Sequence, residues 1–106
     1  MEFRVEKRKH RRHPVRFNSI FSTGGVWIND GVVIDLSLGG CRMISAIHIL
    51  IDTPMELHIR PDQHAPVYVP SAVVRWAGEF SFGVEFNKLP ELESATLTRL
   101  LCLLPS

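Results

Sequence analysis

Residues that carry chemistry are scarce in this chain, and each scarcity removes a class of function. Its two cysteines, Cys41 and Cys102, match no metal-binding spacing and no disulfide framework, which points to a reducing compartment. Five histidines, His10, His13, His48, His58 and His64, are scattered, and none pairs with a cysteine or carboxylate at a metal-ligand spacing. His10 and His13 also stand among arginines and lysines, whose charge opposes a bound cation. A glycine-rich phosphate loop with its lysine is absent. Ser37 is followed by turn and strand signals rather than by the helix a nucleophile elbow requires. Catalysis, a metal centre and a cofactor are therefore not expected. No apolar run approaches the ~18 residues of a membrane span, and the N-terminal residues lack the apolar core of a secretory signal. A cytoplasmic protein without membrane insertion is expected. Internal repeats and low-complexity segments are missing as well.

What is present describes one globular domain. The chain has 106 residues, 45% hydrophobic and 22% charged, enough for a single modest core. Its net charge of +1 hides an asymmetry. Residues 1–16 hold seven basic side chains against two acidic ones, a net of +5. The remaining 90 residues hold five basic and nine acidic ones, a net of −4. Basic charge gathered on a mildly acidic body makes residues 1–14 a mobile arm suited to anions. A solvated tail without a ligand is the plainer alternative.

Beyond the arm, apolar residues recur with period two. Val15, Phe17 and Phe21 alternate with Arg16, Asn18 and Ser22, and Met55, Leu57 and Ile59 with Glu56, His58 and Arg60. Phe80, Phe82, Val84 and Phe86 repeat the pattern with Ser81, Gly83 and Glu85. Gly24-Gly25 and Asn29-Asp30-Gly31 are turn signals, the latter a hairpin signal through Asp-Gly. Pro70 bends the β-rich run from Val67 to Trp76 or marks an edge. These spacings predict six or seven short antiparallel strands over 15–87, a small barrel or sandwich. The period then changes. Leu97, Leu100, Leu101 and Leu104 follow i, i+3, i+4 and i+7, which predicts a helix over 90–104 with Pro90 in its first turn. Its leucine face is expected to cover an open end of the barrel, with a partner-binding face as the alternative. Trp27 and Trp76 are expected in the core, with a place flanking a ligand as the alternative.

One stretch exceeds what a turn requires. Asp35-Leu36-Ser37-Leu38-Gly39-Gly40 follows the apolar run Val32-Val33-Ile34. A strand ending this way presents a carboxylate, a hydroxyl and backbone N–H groups on one rim. The carboxylate accepts from the N1–H and N2–H edge of a guanine, and Gly40 permits close backbone approach or positive φ. Arginine supplies the complement, its planar fork matching phosphate oxygens or the O6/N7 edge of guanine.

These residues carry a resemblance to a known family. Arg8-Lys9-His10-Arg11-Arg12-His13-Pro14-Val15 resembles the RxxxR-x-P-V segment of the PilZ domain, and Asp35 to Gly40 matches its (D/N)xSxxG motif. Phe82-Gly83-Val84-Glu85-Phe86, following Ala72-Val73-Val74-Arg75-Trp76, is similar to the closing strands of that family. The resemblance spans nearly the whole chain. It implies an all-β fold, a six-stranded antiparallel Greek-key-like barrel with a C-terminal helix, and cyclic di-GMP as ligand. It also implies a site of Arg8, Arg12, Asp35, Ser37 and Gly40, with Arg11, Arg16 and Gly39 as auxiliary residues. Arg12 and Arg16 satisfy RxxxR too, although Arg8 and Arg12 leave His13-Pro14-Val15 at the start of the first strand, as in the family. In this register Asp35 and Ser37 point outward to the arm, and Leu36 and Leu38 pack away from it. The expected function is a receptor or adaptor whose arm orders on the nucleotide and which acts on a partner protein in trans. A nucleic-acid-binding barrel with a basic arm is the rival, disfavoured because the aromatics look inward rather than forming a stacking face. A PilZ-like interaction module without ligand is the other.

Overall fold

Period-two alternation becomes the two faces of a closed sheet. The structure, a computed structural model, describes residues 10–105. Six strands form, β1 (His13–Thr23), β2 (Val26–Leu36), β3 (Gly40–Ile44), β4 (Pro54–Arg60), β5 (Val67–Ala77) and β6 (Ser81–Phe86), followed by helix α1 (Glu91–Leu103). All pairings are antiparallel, and the order β1-β2-β3-β6-β5-β4 closes where β4 pairs with β1. The expected six-stranded barrel with a C-terminal helix is what the chain forms. Of the expected arm, residues 1–9, Arg8 among them, lie outside the described residues, and β1 begins at His13 rather than Val15.

The core follows the alternation closely. On β4, Met55, Leu57 and Ile59 are buried while Pro54 and Arg60 are exposed. Phe21 of β1 meets Phe82 of β6 edge to face across the barrel, ring centroids 5.7 Å apart. That geometry sets the positive edge of one ring against the negative face of the other. Leu97, Leu100 and Leu101 of α1 are buried in the same cluster, and Leu104 packs against it. The leucine face is therefore spent on the barrel. Pro90 caps the helix instead of entering its first turn, and its carbonyl accepts the Ser94 N–H at 2.9 Å. Glu91 and Glu93 lie in the first turn, where the helix dipole favours negative charge.

Three local expectations change. The β1–β2 turn is made by Gly24 and Gly25, at φ +58° and +82°, while Asp30-Gly31 lies within β2. A Cβ at Gly31 would come within 2.7 Å of Met43 Cε and 3.1 Å of Phe21 Cδ1, so the glycine makes room for core side chains. Asp30 accepts from Ser45 Oγ at 2.8 Å and from the Ala46 N–H at 3.3 Å, tying β2 to the end of β3. Pro70 sits at a register shift, where Val69 to Ala72 of β5 face Leu57 to Met55 of β4, and it lies ahead of the residues that pair with β6, which begin at Ala72, so its missing N–H breaks no ladder on that side. Finally, Trp27 and Trp76 are not core residues, being 47% and 41% exposed.

The helix contribution has a direct test. Leu97→Ala should lower unfolding free energy by about 2–5 kcal/mol, and Leu92→Ala, at a position 71% exposed, by no more than ~0.5 kcal/mol. Urea denaturation followed by far-ultraviolet circular dichroism measures both.

Candidate functional site

Two breaks in the pleat build the site. Between Val33 and Asp35 of β2 the partner strand β3 advances by a single residue, Met43 to Arg42, so Ile34 is an inserted residue. Strict alternation from buried Val33 would turn Asp35 inward and Leu36 outward. The insertion reverses both, and Leu36 is fully buried while Asp35 faces the surface. The same event recurs on β5, where Val74 and Trp76 oppose the adjacent residues Val84 and Gly83 of β6 and Arg75 is the insertion. Continued alternation from buried Ala72 and Val74 would put Trp76 in the core. Instead Arg75 and Trp76 both emerge on the outer face. Bulges of this kind re-aim side chains at sites. Here Asp35 and Trp76 are delivered to one cleft.

That cleft, about 480 Å³, runs over the outer faces of β2, β3, β6 and β5. Arg12, Asp35 and Ser37 line one end, and Arg42, Arg75, Trp76 and Glu85 extend it across the barrel. Arg12 Nη1 stands 3.6 Å from Asp35 Oδ2, an ion pair open to solvent. Opposite, Arg75 Nε donates to Glu85 Oε1 at 2.5 Å. Arg42, directly across from Asp35 on β3, has no ion-pair partner among the described residues. The wall is closely fitted. A Cβ at Gly83 would fall 2.0 Å from Trp76 Nε1, so the indole lies directly on the glycine backbone. Beneath the cleft, burial and then the charge of Asp35 push the Cys41 thiol far above its ordinary range. A neutral, buried thiol is inert.

The Ser37 side chain bonds its own turn. It is buried, and its hydroxyl accepts from the N–H groups of Gly39 and Gly40 and donates to the Gly40 carbonyl, each at 3.2 Å. Together with the Ser37 N–H on the same carbonyl at 2.9 Å, these bonds organise the β2–β3 turn. Ser37 thus lines the cleft while its side chain shapes the loop, and Leu38 is 38% exposed rather than packed away. Gly40 serves close approach, not positive φ, because a Cβ there would meet the Val84 carbonyl oxygen at 2.2 Å. Gly39 packs similarly under His10, whose Cδ2 would be 2.8 Å from an added Cβ. Of the arginines in the RxxxR stretch, Arg12, common to both registers, lines the cleft, and Arg11 and Arg16 do not.

The PilZ domain family matches the sequence over residues 6–102. The chain belongs to the PilZ domain family. PilZ domains are a family of cyclic di-GMP receptors. Among solved structures, the chain is similar to the Bacillus subtilis inhibitor of motility MotI/DgrA, with a TM-score of 0.76 at 18% identity. The match covers 94% of this chain and 52% of that one, so the chain spans about half the length of MotI/DgrA. It is also similar to the PilZ domain of CeSA from a cellulose-synthesizing bacterium, with a TM-score of 0.68 at 19% identity, covering 87% of this chain and 95% of that one. At such identities the likeness shows the fold alone. No curated protein matches the sequence.

Arg12 of the first PilZ motif and Asp35, Ser37, Gly39 and Gly40 of the second lie at one end of the cleft, and Arg42, Arg75, Trp76 and Glu85 were not named as site residues from the sequence. Arg42 was accessible to simple parity, since Cys41 and Met43 point inward and the residue between them must point out. Trp76 was not, because parity there gives the wrong face. For Ser37, replacement by alanine leaves two part-buried N–H groups without their acceptor. Ser37→Ala should therefore destabilise the PilZ barrel by about 1–3 kcal/mol, measured as a shift of the urea midpoint without any ligand present.

Proposed function

We propose that the cleft binds cyclic di-GMP and that the protein is a receptor or adaptor which passes the binding event to a partner in trans. The observation that carries this reading is the meeting of Arg12 and Asp35, 23 positions apart in sequence and 3.6 Å apart at one end of the cleft. A cation and a carboxylate at that distance offer a phosphate acceptor site and a guanine-edge acceptor within the span of one nucleotide. Arg12 is about half exposed while Asp35 is 21% exposed, and at 3.6 Å the contact is long enough for the guanidinium to turn to another anion. In the bound state Arg12 turns to phosphate oxygens, and Asp35 takes the N1–H and N2–H donors of a guanine. Trp76 supplies an exposed aromatic face nearby, and base stacking on such a face contributes about 1–3 kcal/mol. A cleft of 480 Å³ falls within the range of small-molecule sites.

The basic residues ahead of β1 complete the proposal. Residues 1–14 fold across the rim on the ligand, with Arg8 joining Arg12 on the phosphates. The contact of His10 with Gly39 is consistent with a path for this arm over the β2–β3 turn. Ordering such a segment costs roughly 2–5 kcal/mol, and a well-placed bidentate arginine returns about 1–3 kcal/mol, so a single arginine does not suffice. The rearranged arm then presents a new surface. Leu50 and Ile51 are exposed on the β3–β4 loop beside β5, which the Asp52 N–H joins at the Val74 carbonyl, 2.8 Å away. This loop adds apolar surface that a partner protein would cover.

Calorimetric titration tests the reading. Cyclic di-GMP should bind, and GTP and a short single-stranded DNA should not. Arg12→Ala should abolish measurable binding while far-ultraviolet circular dichroism stays unchanged; retained affinity would remove the proposed phosphate role. Asp35→Ala should act on selectivity, weakening the preference for cyclic di-GMP over cyclic di-AMP by about ten-fold. Equal loss of both dinucleotides would exclude the guanine-edge role.

A further inference from the structure

The end of the cleft remote from Arg12 carries a cation already occupied from within. Arg75 is the inserted residue of the β5 bulge, so the irregularity that exposes Trp76 also delivers a guanidinium beside it. Of the five N–H donors of that group, Nε–H bonds Glu85 Oε1 at 2.5 Å, and Nη1 stands 3.9 Å from Asp52 Oδ1. Among the described residues its terminal nitrogens make no shorter ion pair. Both partners of the Arg75–Glu85 pair are more than half exposed, so solvent screens it and its opening is cheap. Carboxylate and phosphate present the same oxyanion geometry to an arginine fork.

We propose that Arg75 is a phosphate-binding residue of this cleft and that Glu85 is its internal competitor, holding it in the free protein and setting the threshold for ligand. The inference rests on the reading of the cleft as a cyclic di-GMP site. On binding, a phosphate of the dinucleotide replaces Glu85 on Arg75. Arg12 and Arg75 then hold the ligand from the two ends of the cleft, one drawn from the segment before β1 and the other from β5. Glu85 contributes nothing to affinity in this scheme. It subtracts from it, by the strength of the pair that must open.

The experiment is a double-mutant cycle by isothermal titration of cyclic di-GMP into wild type, Arg75→Ala, Glu85→Gln and the double variant. Arg75→Ala should bind about ten-fold more weakly or worse. Glu85→Gln should bind more tightly, by up to about five-fold. In the Arg75→Ala background Glu85→Gln should have no effect, which separates release of the arginine from simple removal of a negative charge near an anion. Tightening of equal size in both backgrounds overturns the competitor role. Unchanged affinity of Arg75→Ala, in a wild type that binds and loses binding with Arg12→Ala, overturns this inference and leaves the cleft assignment standing. A wild type that takes up no cyclic di-GMP overturns both. The substituted positions are surface ones, and an unchanged urea midpoint shows that each variant is folded.

Discussion

The parity of the β pleat is the constraint on which the site depends. A strand has two faces, and a residue changes face only if the register slips by one. In this barrel the slip occurs at Ile34 of β2 and again at Arg75 of β5. Without the first, Asp35 would bury a carboxylate and Leu36 would stand in water. Without the second, Trp76 would compete with Phe21 and Phe82 for core volume. Each insertion turns a side chain from the core face to the cleft, and the two lie on strands separated only by β3 and β6. Glycines on these intermediate strands let the arrangement close, Gly83 under the indole and Gly40 against the Val84 carbonyl.

How much of this was readable from the sequence depends on whether a feature obeys the pleat or breaks it. The strands, the barrel and the helix obey it, and alternation such as Met55, Leu57 and Ile59 translated directly into burial. The two motifs were visible because their residue types are unusual together, arginines on one side and an Asp-x-Ser-x-x-Gly on the other. What was misread sits at irregularities. Trp76 looked internal because an inserted residue leaves no mark in hydrophobic periodicity. Asp30-Gly31 looked like a turn because the same dipeptide suits a strand position crowded by Phe21 and Met43. Ser37 lines the cleft as its motif suggests, but that its hydroxyl also holds the β2–β3 turn was not visible from residue types alone. The second half of the cleft required cross-strand register, which no local pattern contains.

Charges of opposite sign alternate along the cleft, Asp35 between Arg12 and Arg42, then Glu85 against Arg75. A site built this way is close to neutral before it binds anything, although the arm ahead of it is strongly basic. The excess of positive charge stands in residues 1–16 of the sequence, whereas the cleft sets charges of both signs side by side. Salt screens attraction over distances beyond a Debye length of about 8 Å far more than contacts made within the cleft.

The cleft draws on residues from His10 to Phe86, and its two sides, the β2–β3 and β5–β6 hairpins, are joined through the β3–β6 pairing, which is distant in sequence. No single hairpin of the chain contains it. It comes into being when β6 pairs with β3, a long-range contact of the kind that slows folding. Whatever occupies the cleft is therefore bound by the folded state alone. By mass action an occupant at a hundred times its dissociation constant adds about 2.7 kcal/mol to the barrel, a sizeable increment for a domain whose total stability is on the order of 5–15 kcal/mol. The stability of the barrel and the concentration of any molecule that fills the cleft are then coupled through the same closure that forms the core.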